Sequence, residues 1–96
     1  MKVLLGQSAL DDLRDIKAYY VEVGAPKVCG EIVTDILRHV DILIDHPMSG
    51  RIVPEFETEN IRELIYPPYR VVYTIQASDL ILIRVWRSER MLQLPD

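Results

Sequence analysis

At 96 residues the chain can build one domain around a single core, so a second domain is not expected and residues 1–96 read as one unit. A hydrophobic fraction of 49% beside 27% charged residues excludes a disordered chain, and a lone cysteine, Cys29, excludes an internal disulfide or a thiolate metal cluster and suits a reducing cytoplasm. The net charge of −4 and a pI near 5.1 argue against broad nucleic-acid binding, which needs many Lys and Arg contacts to phosphate.

The first residues, "MKVLLGQSALDD", are too briefly apolar for a secretory signal, and no run approaches the roughly eighteen apolar residues of a membrane span. A cytoplasmic location with no membrane contact is expected. Residues 2–5 read as a short strand. Ser8 offers an N-cap with Asp11 three residues on, and Leu10, Leu13, Ile16, Tyr20 and Val23 recur at helical spacing, so a helix is predicted over 9–22, ended by Gly24. Pro26 suits the first turn of a second helix whose apolar stripe runs from Cys29 to Ile44 and stops at Pro47. The short connection makes the pair an antiparallel hairpin.

Residues 48–60 lack a sustained period and read as a loop, and 88–96 as an irregular tail. Between them lie three predicted strands, 61–66, 69–76 and 80–87. If "ASD" (77–79) is a three-residue hairpin loop, Gln76 faces Leu80 and Arg70 faces Trp86. Tyr69, Val71, Tyr73, Ile75, Ile81, Ile83 and Val85 then share the core face. Arg70, Val72, Thr74, Leu82, Arg84 and Trp86 share the other. The expected fold class is α+β: an N-terminal strand and a helix hairpin packed on a small twisted antiparallel sheet.

The charge is uneven. Residues 1–46 hold five bases and eight acids, 5 − 8 = −3, whereas 61–91 hold five arginines and three acids, 5 − 3 = +2. The basic end carries "RVWRSER" (84–90), with three arginines and the only tryptophan. Arginine's planar fork suits directed contact with carboxylates, phosphates and aromatic faces. A plainer reading of Arg70 and Trp86 is a cross-strand cation–aromatic contact worth on the order of 1 kcal/mol. Asp11, Asp12 and Asp15 read as a solvated face in the first turns of a helix. Arg62 reads as a structural partner of nearby acids, and Tyr66, beside Pro67 and Pro68, has no evident place. His39 and His46 are two helical turns apart, about 10 Å, too far to share a metal ion. No metal or cofactor site is expected.

The segments "SALDDLRDIKAYY", "HPMSGRIVPE", "IRELIYPPYRVVYTI" and "LILIRVWRSERML" closely resemble the RelE/ParE superfamily of bacterial toxins, in the expected order and through nearly the whole chain. RelE-like members cut mRNA in the ribosome and commonly carry a His or Tyr proton carrier near the C-terminus; "RSERMLQLPD" has neither, and arginine is a poor acid or base. Arg70 matches a phosphate-holding arginine of those nucleases. The pattern resembles the ParE-like branch. That resemblance implies a non-enzymatic toxin of a type II toxin–antitoxin system that inhibits DNA gyrase and is neutralised by a ParD-like antitoxin, with DNA met only through antitoxin or gyrase. Arg70, Arg84, Trp86, Arg87 and Arg90 are the implied docking residues for target or antitoxin. The alternatives are a ribosome-dependent endoribonuclease using Arg70, and a decayed toxin that keeps only its antitoxin-binding surface.

Overall fold

The computed structural model describes residues 1–87. The tail expected at 88–96, with Arg90, lies outside the described residues. The elements in chain order are β1 (Lys2–Leu5), α1 (Gln7–Glu22), α2 (Pro26–Asp45), β2 (Arg51–Ile52), β3 (Ile61–Tyr66), β4 (Tyr69–Gln76) and β5 (Asp79–Arg87). They form one five-stranded sheet in the order β1-β5-β4-β3-β2, with both helices packed on one face.

The sheet is mixed, which corrects the antiparallel expectation. β1 runs parallel to β5, pairing Lys2 with Asp79 through Leu5 with Leu82. Where β1 ends, Gly6 donates its N–H to the Leu82 carbonyl at 2.9 Å, and a Cβ at Gly6 would meet that same oxygen at 2.9 Å. Only glycine lets the chain pass so close before turning into α1. The N-cap is therefore Gly6 and not Ser8, which lies inside the first turn: the strand pairing decides where the helix starts. Gly24, at φ +78°, ends the hairpin's first arm, and Pro26 opens α2 as predicted.

α1 contributes Ala9 and Ile16 to the main core, and α2 contributes Cys29, Ile36, Val40 and Leu43. Tyr69, Val71, Tyr73, Leu80, Leu82 and Val85 meet them from the sheet. Each fully buried aliphatic here stabilises the fold by roughly 1.5–3 kcal/mol before entropy is counted.

The last hairpin departs from the predicted register and then recovers it. Its loop has two residues, Ala77 and Ser78, with Ala77 at φ 53°, so Gln76 pairs with Asp79 instead of Leu80. A β-bulge between Val72 and Tyr73 accommodates Ile83 as the extra residue, and beyond it Arg70 faces Trp86 as expected. The one-residue shift inverts the faces near the turn. Leu82 enters the core in place of Ile81 and Ile83, and Ile83 joins Val53, Val72, Ile61 and Trp86 in a second, smaller apolar cluster on the opposite face.

The segment 48–60 is more ordered than a plain loop. β2 pairs Arg51 with Glu63 and Ile52 with Arg62, too short a strand to show a period. Tyr73 secures its approach by donating to the Pro47 carbonyl at 2.7 Å and accepting the Gly50 N–H at 3.0 Å. Arg62 donates to the carbonyls of Met48, Gly50 and Glu59, so its partners are backbone and not the expected carboxylates.

Candidate functional site

β1 covers β5 only as far as Leu82, whereas β5 continues to Arg87. Past that point α1 stands beside the strand, and the two enclose a groove of about 550 Å³. Asp12, Asp15, Ile16 and Tyr19 line it from the helix, and Tyr69, Arg84, Val85, Trp86 and Arg87 from the sheet. It presents aromatic and aliphatic surface between charged groups of both signs, the makeup of a protein-docking surface.

Asp12 braces the groove. Its carboxylate accepts from Arg84 Nε at 2.8 Å and Nη2 at 2.9 Å, and from the Val85 N–H at 2.9 Å. With side-chain exposures of 12% for Asp12 and 16% for Arg84, this bidentate pair is largely screened from water and stronger than a surface ion pair. It corrects the reading of Asp12 as solvated. Helical spacing carried the signal, because Asp12 lies three residues after buried Ala9 and four before buried Ile16.

The guanidinium of Arg84 sits 4.2 Å from the centre of the Trp86 ring, and that of Arg87 lies 5.9 Å from the Tyr69 ring. The cation on Trp86 is thus Arg84 and not Arg70. Tyr69 is buried at the groove floor, and burial, then its hydrogen bond with Tyr20, pushes its phenol up to about 12. Tyr69 is therefore a neutral aromatic wall at ordinary pH.

Arg70 does not line this groove, although it pairs across the strands with Trp86, which does; it is 6% exposed on the face of the sheet opposite the helices. Its Nε and Nη2 donate to Glu63 at 2.7 and 2.8 Å, and its Nη1 and Nη2 donate to Glu55 at 2.7 and 2.8 Å. These bonds, to Glu55 first and then Glu63, raise its pKa against the opposing effect of burial, so the charge is permanent. Glu63, with no side-chain exposure, also meets Arg51 Nε at 3.4 Å. Two arginines and two glutamates therefore meet on this face among the described residues. Sequence reasoning missed both acids, although Glu63 alternates with Ile61 and Ile65 and so shares their face.

Tyr66 also finds its place. Its hydroxyl donates to Asp35 at 2.9 Å and its ring packs edge-on against His39, so although its backbone pairs with Tyr69 of the groove, its side chain is engaged by α2. The bond to Asp35, then burial, raises its pKa, which disfavours it as a proton carrier. His39 places Nδ1 2.7 Å from the Asp35 carbonyl, a helix-side contact.

The sequence profile described as the ParE toxin of the type II toxin–antitoxin system, parDE, matches residues 3–92. The chain belongs to the ParE toxin family. It is a type II toxin by that membership. A solved structure described as the chromosomal ParDE TA system from P. aeruginosa has the same fold, with a TM-score of 0.75 at 24% identity, covering 93% of this chain and 97% of that one. The agreement of strand, helix hairpin and sheet over almost the full length bears out the expected α+β architecture of this ParE toxin. No curated protein sequence matches it closely enough to add to these comparisons. Among the described residues no helix is long and apolar enough to cross a membrane.

Proposed function

We propose that this ParE toxin acts in the cytoplasm without catalysis, inhibiting DNA gyrase by binding it, and that a ParD-like antitoxin neutralises it. The observation that carries the reading is the groove between α1 and β5, where Arg84, Trp86 and Arg87 stand together over a floor of Tyr69 and Val85. Trp86 offers apolar area, Arg87 a cation for carboxylates of a partner, and Asp12 holds Arg84 in one orientation. Arg90, which continues the basic sequence, lies outside the described residues. The family's description as the toxin of a toxin–antitoxin system supports an antitoxin as one partner of the protein.

The internal pairing of Arg70 weighs against the ribonuclease reading. An arginine already bound at both edges by Glu55 and Glu63 is poorly disposed to hold the phosphodiester of an RNA chain.

The test is supercoiling of relaxed plasmid by purified gyrase and ATP, with and without the toxin, scoring trapped double-strand cleavage as well. Inhibition that a ParD-like antitoxin reverses, and that Arg87→Ala weakens by about tenfold, is the expected result. Unaffected supercoiling together with toxin-dependent cuts in translated mRNA would replace this reading with the ribonuclease one.

A further inference from the structure

The loop that joins β2 to β3 lies over the face of the sheet that the helices leave open. Residues 54–60 are exposed, and from Phe56 to Thr58 their backbone bonds are local, with Phe56 and Glu57 N–H both donating to the Val53 carbonyl and Ile61 N–H to that of Thr58, while at the far end the Asn60 carbonyl accepts from Thr74 Oγ1 at 2.7 Å. Ahead of that Asn60 anchor the segment's side chains meet the sheet through Val53, wholly buried against Val72, Ile61, Ile83 and Trp86, and through Glu55, bidentate on Arg70. The two acids on Arg70 differ in kind. Glu63 belongs to the paired strand β3 and is sealed from water, whereas Glu55 comes from this loop and is 26% exposed.

The geometry points to residues 53–60 as a strap that occupies a second protein-docking face, with Val53 and Glu55 as internal stand-ins for the side chains of a partner. The partner it fits is an extended protein segment bearing an aliphatic side chain and, two residues on, a carboxylate, the spacing of Val53 and Glu55 themselves. Charge and the apolar cluster together select this partner. When Glu55 leaves, Arg51, Arg70 and Glu63 among the described residues carry a net charge of +1, which one carboxylate neutralises, and Val72, Ile83 and Trp86 beside them call for an aliphatic side chain that a phosphate chain does not supply. The exchange replaces an internal pair by an equivalent external one and uncovers Val72 and Trp86 for the incoming aliphatic group. This strap operates whether or not gyrase is the target.

Native-state hydrogen exchange and fluorescence of Trp86, the chain's only tryptophan, test it on the whole protein. In the wild type the Phe56 and Glu57 amides are expected to exchange through local opening, well ahead of those of β4, and Glu55→Gln to speed them about tenfold or more with β4 unchanged. Val53→Ala, which loosens the other attachment, supplies the same comparison should Glu55→Gln fail to fold. A peptide copying residues 53–57, "VPEFE", is expected to bind the loosened variant and shift Trp86 emission, whereas the same peptide with Gln for its first Glu is not. Strap amides that exchange only on global unfolding, or at a rate unchanged in both variants, would overturn the strap. Equal binding of both peptides, or of neither, would overturn the carboxylate site, and so would inorganic phosphate that outcompetes the acidic peptide at equal concentration.

Discussion

The pair Glu63 and Arg70 offers the sharpest test of the buried ion network. Replacing Glu63 with Leu removes the 2.7 and 2.8 Å bonds to Arg70 and leaves a 6%-exposed guanidinium held by Glu55 alone. Breaking one side of a buried pair costs roughly 3–5 kcal/mol; with Glu55 still in place the lower end, about 3 kcal/mol, is expected. At about 4–8 °C per kcal/mol for a domain of this size, the midpoint should fall by roughly 12–24 °C. Arg70→Met should cost a similar amount, because it strands Glu63, which keeps only its 3.4 Å contact with Arg51 among these partners. The double variant Glu63→Leu with Arg70→Met removes both charges together, so its cost should fall well short of the sum, with a coupling of about 1.5–3 kcal/mol. Urea unfolding with unchanged m-values measures all three. Singles that cost under about 1 kcal/mol, or strictly additive costs, would refute the claim that this network is cooperative.

Asp12→Ala should destabilise by about 2–4 kcal/mol, since it frees the Arg84 fork and the Val85 N–H at once, and Asp12→Asn should cost less because an acceptor remains; urea unfolding and exchange of the Val85 amide would report both. Tyr73→Phe deletes one donor and one acceptor at the entry to β2 and should cost about 2 kcal/mol by the same measurement. The alkaline limb of stability should carry Tyr69. Its pKa is raised from 10.0 unfolded to about 12 folded, so its contribution is complete below pH 10 and is lost as pH rises through about 12; tyrosinate absorbance should show Tyr69 ionising last, with unfolding, and its early titration would contradict the burial.

The helix hairpin was legible because its information is local. Apolar spacing near 3.6 with Gly24 and Pro26 between the arms places α1 and α2 within one or two residues of their observed spans. The strands 61–66 and 69–76 were legible for the same reason, alternation being a two-residue property, whereas the expected pairing of Arg70 with Trp86 holds only because the bulge at Ile83 offsets a loop one residue shorter than expected. Family membership, too, followed from motifs in order along the chain, and the profile match over residues 3–92 agrees. The parallel pairing of β1 with β5 was not legible, because nothing near Lys2 records which strand lies beside it seventy-seven positions later, 79 − 2 = 77. Nor was the bulge at Ile83, which exists because a two-residue turn set one register and the core packing beyond it required another. The charges show the division most plainly. Sequence alone determined that an acidic protein carries a basic, arginine-only end, and composition suffices for that. Which arginine is spent inside the fold and which faces a groove depends on carboxylates distant in the chain, Asp12 for Arg84 and Glu55 with Glu63 for Arg70. Only the folded chain brings those acids within hydrogen-bond reach, and at that range the pairing energy exceeds anything the local sequence encodes.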